Sequence, residues 1–269
     1  MCAIAVLGSS HGTCTQDHET TADGAGGHGR TIAGLAGRLP AQTVLFASYL
    51  PDVAWSAAVR DDLSMPKICV STPLCLGSAS PRRQELLSGL GLPLKVRPAN
   101  VEESVLPGEL PQQYLERIVA DKWTAVNRLG LTLGSFSAVL VADTIVVIDN
   151  EILGKPIDVA DAERLLHRLT GREHVVYTRF AVGRAGAAAA TVSARTVETS
   201  VFLRSATSQE LRRYAATGEG LDKAGAYAAQ GIGSFLIERV QGSYTNVVGL
   251  PLCEVVLELQ RLDLLAEFP

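Results

Sequence analysis

From Lys67 onward, apolar residues recur along the chain with a spacing that changes from segment to segment. Spacings of three and four predict amphipathic helices, and short runs rich in β-branched residues predict strands. The helical pattern covers Pro81–Leu90, Gln112–Leu129, Ala160–Leu169, Ser208–Ala216 and Leu252–Leu265. The strand pattern covers Leu94–Arg97, Ala138–Ile148, His174–Gly183, Thr191–Leu203 and Phe235–Arg239. Because strands and helices alternate, the sequence predicts an α/β fold over residues 67–269.

The first 66 residues do not share this pattern. Residues 9–38 are rich in Gly, Thr, Ala, Ser and His and have no apolar period. Such a segment buries too little surface to offset the entropy lost on ordering. We therefore expect residues 1–66 to form an N-terminal extension that is largely disordered or irregular, with at most a short helix within residues 41–60.

Composition and net charge limit the partners and the compartment that the sequence allows. The chain has 269 residues, 47% of them hydrophobic, so a sizeable core can form. Its net charge of −4 argues against a nucleic-acid partner but allows a local basic cleft. The five cysteines form an odd set without C-x-x-C spacing, which favours a reducing compartment. Apolar stretches near the N-terminus are too short for a signal peptide or a membrane span of ~20 residues. We expect a cytoplasmic protein with no membrane partner.

The segment Gly77-Ser78-Ala79-Ser80-Pro81-Arg82-Arg83 is the first with visible chemistry. Ser80 is a good N-cap and Pro81 suits the first helical position, so free N–H groups should face outward there. Two arginines in a first turn oppose the helix dipole unless an anion binds at the same place. Arg82 and Arg83 could then grip phosphate. An ordinary capped helix with two solvated arginines fits the spacing equally well.

Two charged residues fall where the pattern predicts burial. Lys122 lies near the centre of an apolar helical stripe, where it either snorkels outward or is held by an anion. Asp143 interrupts a nearly continuous apolar strand and needs a cation, a metal or donors. A structural salt bridge would suffice, although buried ionisable groups cluster at functional sites. Glu102 and Glu103 are a possible second carboxylate source, and by themselves they read as surface charges on a loop. Two carboxylates beside phosphate would suit Mg²⁺.

Two further loops combine a lysine with glycines that allow a close backbone approach. They are Gly154-Lys155-Pro156 and the segment Gly220–Gly231, which contains Lys223. Neither has the spacing of a Walker motif, and each signal is weak alone.

Taken together and in this order, these segments resemble the Maf family (septum-formation-inhibitor-like proteins). The matching segments are Ser78–Arg83, Val101-Glu102-Glu103, Lys122, Ala142-Asp143-Thr144, Leu153–Pro156, Gly171–His174, Asp222–Tyr227, Gln230-Gly231 and Val248–Leu252. A single motif of this kind is weak evidence for the family, whereas nine in the same order are strong evidence. The resemblance runs from roughly residue 70 to residue 265, and the N-terminal extension lies outside it.

The resemblance implies an α/β fold with a mixed sheet and two lobes flanking a nucleotide cleft, similar to inosine triphosphate pyrophosphatases. It implies metal-dependent attack of water on the α-phosphate, and commonly a homodimer. Asp143, Glu102 and Lys155 then match catalytic positions, with Glu102 and Asp143 as ligands of Mg²⁺ or another divalent cation such as Mn²⁺. The positions implied to bind the substrate are Ser78, Ser80, Arg82, Arg83, Lys122, Thr144, Lys223 and Gln230.

Arg82, Thr144 and Gln230 match the subgroup that acts on dTTP and UTP. The subgroup acting on 7-methyl-GTP tends to carry Trp, Gln and Glu at these places. The chain departs from the family at Trp123, usually Ala, and at Ala228-Ala229, usually Gly-Ile. Because the latter pair adjoins Gln230, it could alter base selection.

The sequence therefore predicts an enzyme that cleaves dTTP or UTP to the nucleoside monophosphate and pyrophosphate. A modified pyrimidine nucleotide as substrate would require the same chemistry. One alternative is a non-catalytic, nucleotide-binding regulator of cell division. Another is a phosphomonoesterase built around Asp143, against which the usual D-x-D pattern is missing.

Overall fold

The computed structural model describes residues 66–130, 135–187, 191–266 and 268. The predictions for residues 9–38 and 41–60 lie outside these ranges. The strands are β1 Leu74–Leu76, β2 Leu94–Val96, β3 Ala138–Ile148, β4 Glu151–Leu153, β5 Glu173–Arg184, β6 Ser193–Leu203 and β7 Ile237–Gln241. The helices are α1 Pro81–Gly89, α2 Pro111–Asn127, α3 Val159–Leu169, α4 Ser208–Ala216, α5 Tyr244–Val248 and α6 Leu252–Arg261.

The seven strands form one mixed sheet in the order β2-β1-β3-β5-β6-β7, with β4 paired to β3. β1 runs parallel to both β2 and β3, whereas β3, β5, β6 and β7 are antiparallel to one another in turn. The parallel pairs need crossovers, which α1 and α2 supply. The predicted α/β class and mixed sheet are confirmed. No helix within the described ranges is both long enough and apolar enough to cross a bilayer.

Most predicted elements agree with the structure to within a few residues. The strand Ala138–Ile148 agrees at both ends. It turns into β4 through Asp149 and Asn150, which have φ values of 53° and 61°, as a two-residue hairpin turn requires.

Two features at the C-terminal end differ from the prediction. The predicted strand Phe235–Arg239 begins instead at Ile237, because residues Ile232–Leu236 form a 3₁₀ turn that buries Leu236. Helix α5 was not predicted, since five residues are too few to show a helical period. Ser243 caps α5 by accepting a hydrogen bond from the backbone N–H of Asn246.

Alternation along β3 divides the core into clusters on both faces of the sheet. On one face, the first half of β3 packs with α1 and α6, and the second half packs with α3 and α4. On the other face, both halves pack against α2. Thr144 lies between the two clusters of the first face, and Asp143 lies between those of the second. The polar residues of β3 therefore occupy the gap at the middle of the strand.

Gly77, directly after β1, sets how closely α2 approaches the sheet. A β-carbon at this position would lie 2.6 Å from the side chain of Val126 on α2 and 2.7 Å from that of Val141 on β3. Only glycine leaves room for these contacts. The close packing brings Lys122 of α2 to the level of Asp143.

Candidate active site

The middle of β3 opens into a cleft of about 960 Å³. The loop between β1 and α1 and the loop before α2 line it, together with the loop after β4 and the loop of residues 219–231. Of the eleven residues to which the resemblance assigns a role, ten line this cleft: Ser78, Ser80, Arg82, Arg83, Lys122, Asp143, Thr144, Lys155, Lys223 and Gln230. Glu102 does not line it, and Glu103 does.

A buried lysine joins two carboxylates at the centre of the cleft. Lys122 Nζ lies 2.7 Å from Asp143 Oδ1 and 2.7 Å from Glu103 Oε1. The lysine side chain is 8% exposed and that of Asp143 is 12% exposed. Of the two possibilities raised for Lys122, the structure shows the one in which an anion holds it. Asp143, which needed a partner of opposite charge, is paired with the Lys122 ammonium group.

Glu103 reaches Lys122 because a hydrogen bond from α2 holds the backbone of its loop in place. The Tyr114 hydroxyl on α2 donates a hydrogen bond of 3.0 Å to the backbone carbonyl of Glu103. Burial raises the pKa of Glu103, but Lys122, with help from Lys155 and Arg83, lowers it further, to below its usual value. Glu103 is therefore ionised at neutral pH.

Glu102 is not part of the group formed by Lys122, Asp143 and Glu103. It is exposed and accepts a hydrogen bond from the Ser104 hydroxyl. Two adjacent glutamates on a loop carry no periodic signal, so the sequence could not say which one reaches Lys122. The placement of Glu102 among the metal ligands stays a prediction that this geometry does not support.

Arg83 makes most of its possible hydrogen bonds to other atoms of the protein. Its buried guanidinium donates to the carbonyls of Gly249 (2.8 Å) and Ala142 (2.9 Å). It also donates to the hydroxyls of Ser78 and Thr144, each at 2.9 Å. Four of the five N–H groups of an arginine are thus engaged. Arg83 ties β3 to the loops on either side of the cleft, and little of it remains to grip a phosphate.

The N-terminus of α1 faces the cleft without a side-chain cap. Ser80 occupies the N-cap position, as predicted, but its hydroxyl makes no capping hydrogen bond. Pro81 follows at the first helical position. The first-turn N–H groups and the helix dipole favour an anion here. Arg82 and Lys155 line the same cleft, and Lys223 lines it from the loop of residues 219–231.

The loop that carries Gln230 is held by Glu219, which the sequence analysis missed. The Glu219 carboxylate accepts hydrogen bonds from the backbone N–H groups of Ile232 (2.8 Å) and Gly233 (2.7 Å). It also accepts one from the Tyr214 hydroxyl, at 2.9 Å. A carboxylate that binds backbone amides thirteen and fourteen residues away leaves no motif in a sequence. Glu219 fixes the position of Gln230 relative to the cleft.

The buried His174, on β5, is expected to make stability depend on pH. It is 2% exposed, and its Nε2 lies 2.8 Å from the Tyr227 hydroxyl. Burial lowers its pKa from 6.5 to about 4. Between these values the unfolded chain binds a proton that the folded protein does not, so the free energy of unfolding should fall as pH falls from 6.5 to 4. The loss should reach about 3 kcal/mol.

Urea unfolding at pH 7, 6, 5 and 4.5 would measure this effect. In His174→Gln, the part of the pH dependence due to this residue should disappear. The exposed His167, on α3, provides the control, and His167→Gln should retain the wild-type dependence. Equal slopes in the wild type and His174→Gln would contradict the prediction.

These observations define an α/β protein whose active-site candidate combines two carboxylates, a lysine between them and an anion-favouring helix N-terminus. A family model described as "Maf-like protein" matches residues 73–262. The chain therefore belongs to the Maf family.

Many similar proteins bear one name, dTTP/UTP pyrophosphatase. The protein of that name from Geobacter sp. (strain M21) is 47% identical over 186 residues, covering 69% of this chain and 93% of the relative. The one from Geobacter sulfurreducens is 45% identical over 195 residues, covering 71% and 97%. Among solved structures, the Staphylococcus aureus Ham1 protein aligns with a TM-score of 0.36 and 13% identity, over 61% of this chain and 79% of that one.

Proposed function

We propose that this protein is a nucleoside triphosphate pyrophosphatase that hydrolyses dTTP and UTP to the monophosphate and pyrophosphate. The observation that carries the proposal is the contact of Lys122 with both Asp143 and Glu103 in a cleft lined by further cations. The names of the similar proteins support the same substrates. Gln230 and Thr144, at the positions that mark the subgroup, both line the cleft.

The carboxylates at Lys122 fit a divalent cation such as Mg²⁺ or Mn²⁺. Within the described ranges, no group of three or more His, Cys, Asp or Glu residues could form an all-protein metal site. Mg²⁺ does not need one, because it usually takes one or two carboxylates and completes its coordination with water and substrate phosphates. Asp143 and Glu103 each contact Lys122 through one oxygen, so we propose that the other oxygens hold the ion. Bound there, the ion would neutralise phosphate charge and make water a better nucleophile.

The other groups of the cleft have separate roles in the reaction. The α1 N-terminus, Lys155 and Lys223 bind the phosphates and stabilise the charge that develops on the leaving pyrophosphate. Lys122 keeps the two carboxylates oriented toward the same point. One of these carboxylates accepts the proton of the attacking water. Arg83 holds β3 and the neighbouring loops in place.

Product identification tests the proposal. The purified protein would be incubated with Mg²⁺ and a panel containing dTTP, UTP, CTP and 7-methyl-GTP, and the phosphate products would be separated. We expect monophosphate and pyrophosphate, formed fastest from dTTP or UTP. Release of orthophosphate would instead support the phosphomonoesterase. Nucleotide binding without turnover would support the regulator of cell division.

The homodimer, the cytoplasmic location and the absence of nucleic-acid and membrane partners stay predictions. The resemblance supports the dimer, and the cysteine pattern supports the location. The net charge argues against a nucleic-acid partner, and the short apolar stretches argue against a membrane. Light scattering of the purified protein would measure the oligomeric state directly.

A further inference from the structure

One aspartate pairs with two cations of the cleft. Asp222 Oδ2 lies 2.9 Å from Arg82 Nη1, and Asp222 Oδ1 lies 2.5 Å from Lys223 Nζ. Arg82 belongs to the first turn of α1, and Asp222 lies 140 residues later in the chain. The two ion pairs therefore connect the α1 N-terminus with the loop of residues 219–231. All three residues line the cleft.

These pairs matter because two other basic groups of the cleft, Arg83 and Lys122, are already engaged. The guanidinium of Arg83 donates to four protein oxygens, and Lys122 lies between two carboxylates. Arg82 and Lys223 instead share one carboxylate, that of Asp222, as their ion-pair partner. The Asp222 side chain is 62% exposed, so solvent and ligands have access to it.

The charge of Asp222 offsets the repulsion between two neighbouring cations. Arg82 and Lys223 carry like charges at one cleft, and an intervening carboxylate removes their repulsion. Burial raises the pKa of Asp222, but hydrogen bonds and charges from Lys223 and Arg82 lower it further, to below its usual value. The carboxylate is therefore ionised at neutral pH. Lys223 is held further by a hydrogen bond of 2.5 Å to the backbone carbonyl of Glu219.

We propose that Asp222 is a displaceable counter-ion that competes with the polyphosphate ligand for Arg82 and Lys223. In the ligand-free protein it keeps both cations paired and positioned at the cleft. An incoming polyphosphate takes them over, and Asp222 recovers them as pyrophosphate leaves. Asp222 is thus a positioning residue that weakens polyphosphate binding and speeds product release. The identity of the ligand rests on the proposed function, whereas the competition itself does not require turnover.

Asp222→Asn tests the competition, because asparagine has the same shape without the charge. Calorimetric titration with inorganic pyrophosphate, in the absence of metal, would measure binding without chemistry. We expect the variant to bind pyrophosphate roughly fivefold more tightly, a modest factor because exposed ion pairs are weak. With dTTP and Mg²⁺, KM should fall and kcat should fall with it, as product release slows. Asp222→Glu, which restores the charge, should return both values toward the wild type.

The control is Asp149→Asn, which removes an exposed ion pair of 2.6 Å to Arg172, away from the cleft. It should bind pyrophosphate as the wild type does. Unchanged or weaker pyrophosphate binding in Asp222→Asn would overturn the proposal, and weaker binding would mean that Asp222 itself supports the ligand. If the wild type binds pyrophosphate but hydrolyses no nucleotide, the proposed function fails while the comparison of affinities still decides the role of Asp222.

Discussion

Asp143→Asn is expected to lower turnover of dTTP by at least about a thousandfold while leaving the fold intact. The substitution keeps the shape of the side chain and an oxygen that can accept the hydrogen bond from Lys122. It removes the charge that we propose to hold the divalent cation and to act on the attacking water. Losing a general base alone typically costs 10²- to 10⁴-fold, and a weakened metal site adds to this. Steady-state kinetics at saturating Mg²⁺ would measure the loss.

The stability of this variant separates catalysis from folding. Lys122 would still face Glu103, so the variant should melt cooperatively, with a circular dichroism spectrum like that of the wild type. Asp263→Asn is a suitable control, since it removes an exposed ion pair of 2.8 Å to Lys67 outside the cleft. That variant should keep wild-type activity. Substantial activity in a folded Asp143→Asn protein would remove Asp143 from the mechanism.

The second large effect is expected from Glu103 and not from its neighbour. Glu103→Gln should lower kcat/KM for dTTP by about a hundredfold or more, whereas Glu102→Gln should change it by less than about threefold. The reason is geometric. Glu103 contacts Lys122 at 2.7 Å and lines the cleft, while Glu102 lies outside the lining and bonds to the Ser104 hydroxyl. The two variants carry the same chemical change at adjacent positions, so each controls for the other.

Titration with Mg²⁺ would show whether the loss concerns the metal. If Glu103 holds the ion, Glu103→Gln should need a higher Mg²⁺ concentration for half-maximal activity, and Glu102→Gln should not. The reverse pattern would restore the sequence-based placement of Glu102 as metal ligand. Equal losses in both variants would mean that the loop moves when substrate binds.

Several features of this protein could be read without a structure. Periodicity located most helices and strands, because residues that alternate between core and solvent leave a regular pattern. The same pattern marked Lys122 and Asp143 as charges at buried positions, and both are buried. The order of the short motifs identified the family. These conclusions depend on local sequence, which is where burial and backbone preference are encoded.

Other features depend on which loops meet, and no local pattern contains that information. The loop before α2 has no period, so only the ion pair in the folded protein shows that Glu103 is the glutamate that reaches Lys122, and Tyr114 fixes the loop there. The sequence placed Arg83 at a helix start suited to phosphate, yet protein oxygens surround it, from Ser78 in its own segment and from β3 and Gly249.

The pairing of Asp222 with Arg82 joins residues 140 positions apart. Tertiary structure alone decides such contacts, because their energy depends on distance in space and not on separation along the chain.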